Sequence, residues 1–456
     1  MGHLSKILEK QERTDLTQGQ VGKVILRFAL PLLIGNLLQQ LYNLTDSIIV
    51  GQFLGKEALA AVSASFFHYY FIISLIIGIG SGTTVVISQL YGAKAYDKLQ
   101  KAFSTFFLFM LVAGLLLSML GIIFAKPIFQ MTNTPEDVLP QAVAYFRIYI
   151  GGTFLFVTFN SIISILRGMG ESIRPMLLIL LTTVLNIVLD LLFIAVFDWG
   201  IEGAARATVA AQGIGMCIAI SYIHNQHPLL SIKKEDLLFD LKLFKEEMRI
   251  GIPTSIQQCA IALGLIALLS IVNSFGTDTL TAYGAAGKID SIVTQAFLTL
   301  SSALAAFCGQ NIGAKQYHRV WQGVRFSIIL CLILSSIAFL GVIFFGNNIM
   351  RLFTTDPNVI AIGQEYLLII FGFLFVHGTL NIFNGALRGA GDTFFPMIIS
   401  LLCLWLIRIP LAYWLSDLLG RIGIWWAIGA SFTIGVIMTF VYYKTGLWKN
   451  RSKLIP

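Results

Sequence analysis

Charge is what this sequence has least of. Of its 456 residues only 12% are Asp, Glu, Lys or Arg, against about 25% in soluble domains. Cysteine is scarce too. Cys217, Cys259, Cys308, Cys331 and Cys403 make an odd count with no CxxC spacing, and all lie in or beside apolar runs. That pattern excludes a disulfide framework or a cysteine-held metal cluster and leaves small buried hydrophobes. No HExxH, GxSxG or P-loop occurs, so the chain is not expected to be an enzyme and needs no cofactor. The first twenty residues are polar, with Lys6, Lys10 and Arg13 and no apolar stretch, so no cleavable signal peptide is expected.

What remains is apolar. Hydrophobic residues make up 57% of the chain, in recurring runs of 18 or more residues, each able to cross about 30 Å of hydrocarbon. Lipid admits only helices and closed barrels, because every backbone polar group must be paired internally. These runs are continuous rather than alternating, so they are helices. Spans are expected near 24–50, 58–90, 102–124, 138–165, 175–197, 204–224, 250–275, 280–310, 326–345, 359–386, 396–416 and 424–443. The formal net charge of +8 sorts by side rather than forming a nucleic-acid surface. Of 31 Lys and Arg, 23 fall on the side of both termini and 6 on the other, with Arg147 and Arg408 inside spans. The positive-inside rule then puts both termini in the cytoplasm of a multi-pass inner-membrane protein. The partners expected are the lipid bilayer and small organic molecules, with no nucleic acid, and the chain acts as a monomer.

Shifted by about 221 residues, the sequence matches itself. Gln89, Gly92, Ala93 and Lys94 return as Gln310, Gly313, Ala314 and Lys315. Leu166, Arg167, Gly168, Gly170 and Pro175 return as Leu387, Arg388, Gly389, Gly391 and Pro396. Pro31 pairs with Pro253, Gly55 with Gly276, Tyr145 with Tyr366 and Asn160 with Asn381. Repeats of this length make each copy one structural unit. The fold class is therefore all-α and integral to the membrane, with twelve transmembrane helices in two six-helix bundles. An even number of spans per copy makes the repeats parallel, related by a pseudo-two-fold axis along the membrane normal, an arrangement carriers use for alternating access. The domains expected are a cytoplasmic segment 1–20, a bundle 21–224, a polar cytoplasmic connector 225–249, a second bundle 250–443 and a tail 444–456. Pro31 and Pro253 fall early in the first helix of each copy, where they can kink it, and Pro31 is the candidate hinge.

The chain resembles the multidrug and toxic compound extrusion family, the MATE transporters. The residues that carry this are Ala29 to Pro31, Asn43 to Asp46, Gly51 to Gly55, and the duplicated Leu-Arg-Gly-x-Gly and Gly-Ala-Lys motifs. The resemblance spans roughly 20 to 445. It implies two six-helix bundles and export of amphipathic, often cationic compounds driven by inward H+ or Na+.

Ionisable groups inside spans are costly, by about 2.5–3.5 kcal/mol on insertion scales, and mark function by default. Asp46 in span 1 and Asp190 in span 5 are the clearest. Taking span 1 to end at Gly51 and span 6 to begin near Ala204 places both carboxylates and Thr208 about 6–10 Å inside the outer end. Asn186 precedes Asp190 by four residues and shares its helix face. Oxygen ligands of this kind suit a hard cation such as Na+ at Asp46, Asn186, Asp190 and Thr208. They suit a proton site equally, since two adjacent carboxylates in low dielectric cannot both ionise cheaply. The resemblance points the same way, because these four match positions that one MATE subgroup uses for cation coupling. The alternative is a hydrogen-bonded cluster that only holds spans 1, 5 and 6 together.

The second copy lacks these acids, so coupling is expected in the first. Asp290 is expected to ion-pair with Lys288 or Arg408, Glu365 lies nearer a helix end, and His377 is read as structural. Arg167 and Arg388 are expected to cap helix carbonyls in glycine-permitted cytoplasmic turns. The aromatic stretches Phe66, Phe67, Tyr69, Tyr70, Phe71 and Phe154, Phe156, Phe159 are candidates to line a cavity for flat cations. The function expected is a cation-coupled secondary antiporter exporting drugs or metabolites. The alternatives are a flippase of lipid-linked intermediates and a membrane enzyme or receptor without transport.

Overall fold

In the computed structural model the described residues are 15–451 without Asn133, Asp137, Pro228 and Lys234, and without the side chains of Lys56, Phe67, Phe71 and Asn450. The expectations made for Lys6, Lys10, Arg13, Lys234, Lys453 and the Phe67 and Phe71 rings lie outside them. No strand occurs among the described residues.

The first copy contains α1 (Val21–Gly55), α2 (Glu57–Gly92) and α3 (Tyr96–Met131). It continues with α4 (Leu139–Gly151), α5 (Thr153–Gly168), α6 (Ile173–Val196) and α7 (Gly200–Gln226). The second contains α8 (Leu241–Asn273), α9 (Thr277–Gly313), α10 (Tyr317–Met350), α11 (Pro357–Gly372), α12 (Leu374–Gly389), α13 (Phe394–Leu419) and α14 (Arg421–Thr445). Ten helices are long and apolar enough to cross a membrane by themselves, and the pairs α4/α5 and α11/α12, bent by 45° and 48°, bring the number to twelve. Each expected span has its helix. The sharp bends fall at these two repeat-related junctions, whereas Pro31 and Pro253 lie inside uninterrupted helices.

The repeat recurs in backbone conformation. Gly55 and Gly276 have φ of 84° and 89°, Gly170 and Gly391 have 85° and 81°, and Lys94 and Lys315 have 56° and 59°. A lysine in the left-handed region is held there by the turn, where Lys94 N donates to Tyr91 O and Lys315 N to Ile312 O, each at 2.9–3.0 Å. That conformation costs a side-chain residue about 1–2 kcal/mol. Lys315→Gly is therefore expected to raise the melting temperature of the detergent-purified protein and Lys315→Val to lower it. The reverse order would show that the lysine side chains stabilise the turn.

The two glycines of the duplicated Leu-Arg-Gly-x-Gly motif do different work. Gly170 and Gly391 turn the chain, as expected. Gly168 and Gly389 are helical instead and let helices touch. A Cβ on Gly168 would lie 2.7 Å from the Thr84 carbonyl oxygen of α2, and one on Gly389 would strike the Ala305 carbonyl oxygen of α9. Small residues at such crossings are how membrane helices, without a hydrophobic drive between them, gain close packing. Arg167 and Arg388 lie within the last turn of α5 and α12 rather than in the turns that follow. Arg388 reaches across to Ser301 Oγ at 3.5 Å, while Arg167 Nε is enclosed without a partner.

Contacts gather the chain into two compact units, one from Leu30 to Arg249 and one from Ile250 onward together with Leu16–Ala29. The boundary inside α1 falls two residues before Pro31. Leu16 is buried, and its backbone N–H donates to Gln310 Oε1 at 2.9 Å while its carbonyl accepts from Asn311.

Candidate functional site: a carboxyl pair in the first unit

Helical periodicity delivers the acids to the interior. On α1 the protected face runs Tyr42, Asp46, Ile49 and Val50, at spacings of four, three and one, while Leu44 and Ile48 are exposed. On α6 it runs Ile179, Thr183, Asn186, Asp190 and Ile194, with Val184 and Val188 turned outward. On α7 a stripe of small residues, Ala204, Ala207, Thr208, Ala211 and Gly215, admits close approach, and a Cβ on Gly215 would strike Thr182 Cγ2 of α6. Ile49, Val50, Tyr145, Ile194, Ala204 and Ala205 form one buried apolar cluster beside the acids.

Asp46 is 8% exposed and Asp190 0%. Their carboxyl groups lie within hydrogen-bonding reach of each other. Among the described residues no donor meets Asp46 Oδ1, either oxygen of Asp190, or Asn186 Oδ1. Asn186 Nδ2 donates to Thr208 Oγ1 at 3.2 Å, and Tyr42 Oη shares that hydroxyl at 3.2 Å. All four predicted residues therefore converge, but Thr208 spends its oxygen on Asn186 and Tyr42. Immediately after Asp190, α6 becomes π-helical over Leu191–Val196, a form concentrated at functional sites.

The depth differs from expectation. Helix α1 continues past Gly51 to Gly55, the first residue whose φ breaks the helix, so Asp46 lies nine residues, about 14 Å, from that end. Helix α7 starts at Gly200 rather than Ala204, which puts Thr208 eight residues, about 12 Å, from its start. Both shifts go the same way by about one turn, whereas Asp190 stays six residues, about 9 Å, from the end of α6 at Val196.

Several neighbours are not evident from sequence. Tyr145 and Tyr149 of α4 stack at 5.7 Å, and Tyr69 of α2 meets Tyr149 edge-on at 4.3 Å. Tyr42, Tyr145 and Tyr149 lie within charge range of Asp46. Tyr42 at i−4 from Asp46 was a readable signal, because the two share a helix face. The α4 tyrosines gave none, being brought in only by packing. Below this layer a small cavity of about 30 Å³ is lined by Gln39, Tyr42, Phe156, Phe159, Asn160, Thr183, Asn186, Thr208 and Gln212 among others, room for one or two waters. Of the aromatic candidates, Phe156 and Phe159 line it, whereas Phe154 packs where a Cβ on Gly114 would fall, and Phe66 and Tyr70 are exposed.

In the second unit Asp290 departs from expectation. Among the described residues it forms no ion pair with Lys288 or Arg408, and accepts instead from Thr294 at 3.2 Å and Tyr366 at 3.5 Å. Lys288 is exposed. Glu365 pairs with Arg421 at 3.3 Å and accepts from Trp425. No group of three or more His, Cys, Asp or Glu that could hold a metal occurs among the described residues.

Known proteins resemble this one throughout. The MatE family model matches twice, over residues 31–192 and 253–414, an offset of 222 that follows the internal repeat. The chain is 32% identical to Probable multidrug resistance protein YoeA of Bacillus subtilis over 93% of this chain and 94% of that one. It is 26% identical to Probable multidrug resistance protein NorM of Thermotoga maritima over 95% of each. A crystal structure of MATE in the bent conformation superposes with a TM-score of 0.90 at 24% identity, covering 95% of this chain and 97% of that one. With the MatE match repeated in both halves and helices enough for twelve crossings, the chain belongs to the MatE family of multi-pass membrane transporters.

Proposed function

We propose that the protein is a cation-coupled antiporter that exports amphipathic, often cationic organic compounds by alternating access, with Asp46 and Asp190 as the coupling pair. Its relatives YoeA and NorM carry multidrug-resistance names, and that activity is extended here to this chain. The observation that carries the coupling is the pair of buried, donor-free carboxyls. Two carboxylates without donors in such a place cost several kcal/mol each. A single proton between them removes one charge and creates a hydrogen bond, so the pair holds a proton in one state of the cycle and loses it in another. Where the coupling ion is Na+, the free oxygens of Asp46, Asp190 and Asn186 suit it, and it supplies the neutralising charge. Thr208 then orients Asn186 rather than serving as a ligand.

Coupling requires that the ion and the substrate favour different states, since a ligand shifts an equilibrium only through its differential affinity. Neutralisation of the pair on α1 and α6 is the bias in this scheme. Pro31, two residues from the boundary between the compact units, is the hinge that responds, because it leaves one backbone hydrogen bond of α1 unmade. The lysine and arginine distribution supports cytoplasmic termini, and the bacterial inner membrane is the compartment proposed.

The test is ethidium movement by purified protein in proteoliposomes, with a pH gradient and a Na+ gradient imposed separately. Uphill movement under either gradient is expected and names the ion. No movement of any organic cation under both would overturn the reading, and lipid-linked substrates would be tested next.

A further inference from the structure

Helix α7 has a second face that the coupling scheme does not use. Its inward face is the small-residue stripe that carries Thr208. On the outward face Arg206, Ala210, Gly213, Ile214 and Cys217 recur at spacings of four, three, one and three, with Arg206, Ile214 and Cys217 exposed. Between this face and the α4/α5 pair runs a groove of about 550 Å³, all of it within the first compact unit. The broken span shapes it. Helices α4 and α5 meet at 45°, and a Cβ on Gly152 at the bend would strike Val209 of α7. Ile148 and Leu155, one on each side of the bend, form the wall. Gly213 adds no side chain to the floor, so the space stays open.

Water does not suit this groove. A held water needs two to four polar partners, whereas the lining offers one charged side chain, Arg206, and one thiol, Cys217. A hydrocarbon chain suits it well. From Arg206 to Ile218 is twelve residues, about 18 Å along α7, close to the depth of one leaflet, which is half of a hydrocarbon core of about 30 Å.

The Arg206 end stands at headgroup level. Trp199 is 43% exposed, as suits the aromatic residues that gather at membrane–water interfaces, and the Arg206 guanidinium lies over its ring at 5.4 Å. Arg206 Nη2 donates to Glu202 Oε2 at 2.6 Å, and both side chains are nearly half exposed. A cation and an anion therefore stand side by side at the mouth of an apolar groove. Because their charges offset each other, a purely anionic headgroup gains little there. A headgroup carrying both signs can satisfy each partner in turn.

We propose that the groove along α7 is a binding site for a phospholipid with an ethanolamine headgroup. One acyl chain lies in the groove, the phosphate on Arg206 and the ammonium on Glu202. A guanidinium matches phosphate oxygens in bidentate fashion. A primary ammonium has three N–H donors for the carboxylate, and the quaternary nitrogen of choline has none. The site depends neither on the export reading nor on the carboxyl pair, which lies on the other face of α7.

Native mass spectrometry of the full-length protein in detergent tests it, after addition of equimolar phosphatidylethanolamine, phosphatidylcholine and phosphatidylglycerol with identical acyl chains. The wild type is expected to retain one phosphatidylethanolamine at an occupancy about threefold or more above phosphatidylcholine, the scale of one exposed ion pair. In the double variant Glu202→Gln, Arg206→Gln the two lipids should be retained equally. Both substitutions are on the surface, so the protein folds. Ala210→Leu puts a branched side chain into the groove and should lower retention of all three lipids several-fold, with an unchanged melting temperature in lipid-free detergent. Equal retention of ethanolamine and choline lipids by the wild type overturns the headgroup assignment, and so does a preference for phosphatidylglycerol. An unchanged preference in the double variant would put the site elsewhere. Unchanged retention by Ala210→Leu would leave only lipids of the general annulus, and either result overturns the proposal.

Discussion

Asp190→Asn and Asp46→Asn are each expected to reduce gradient-driven ethidium movement to the rate of protein-free liposomes, while the purified variants melt at or above the wild-type temperature. The two halves of this result must occur together. Asp190 is fully enclosed and neither of its oxygens meets a donor among the described residues, so no hydrogen bond depends on its charge. An amide has the shape of the protonated acid and removes the burden of a buried charge, so stability should change by no more than about 1 kcal/mol and can rise. What the amide cannot do is bind and release a proton or balance a bound cation, and without that no gradient biases the cycle. If the cluster were only structural, transport per folded molecule would survive both substitutions. Thr208→Val makes a useful contrast. It removes the hydroxyl that Asn186 and Tyr42 share, so it should weaken coupling without abolishing it.

The second large effect concerns folding. Gly389→Val is expected to eliminate monodisperse protein in size-exclusion chromatography, and Gly168→Val to reduce it severely. A Cβ on Gly389 would strike the Ala305 carbonyl oxygen and come within 2.7 Å of Cys308 Cβ. One on Gly168 would lie 2.7 Å from the Thr84 carbonyl oxygen and 3.0 Å from Ile87. These are backbone and β-carbon atoms in helices, which cannot step aside as a flexible side-chain tip would. Single extra methylenes in tight cores cost about 1–3 kcal/mol, and valine adds three carbons. Gly341→Ala is the control, because nothing lies within 4 Å of the added carbon. There the gain in helix propensity, about 0.5–1 kcal/mol, should leave stability equal or higher. If Gly389→Val behaved like Gly341→Ala, the close crossing of α9 and α12 would be wrong.

The helices themselves were legible because lipid is a severe solvent. A continuous apolar run long enough to span it has one secondary structure open to it, so each of the twelve expected spans has a helix or a bent helix pair in the structure. The duplication was legible too, since Lys94 and Lys315 or Gly170 and Gly391 needed only to be aligned, and their shared φ follows from a shared turn. Asp46, Asp190, Asn186 and Thr208 could be picked out because polar groups inside spans are expensive and helical spacing assigns them a face.

Tertiary packing decided the rest. Where α1 ends depended on which of Gly51 and Gly55 took a positive φ, and local composition does not distinguish them. The bends between α4 and α5 and between α11 and α12 arise at Gly152 and Phe373, not at the conspicuous prolines. Tyr145 and Tyr149 reach the carboxyl pair only because α4 packs there. Asp290 had two basic candidates in the sequence and bonds to neither, because Thr294 one turn along α9 and Tyr366 of α11 are nearer. Sequence alone determined which segments become helices and which residues are too costly to leave in lipid, because both follow from the solvent and the local helix. Which of those residues meet depends on contacts between helices far apart in the chain, and only the folded structure specifies those.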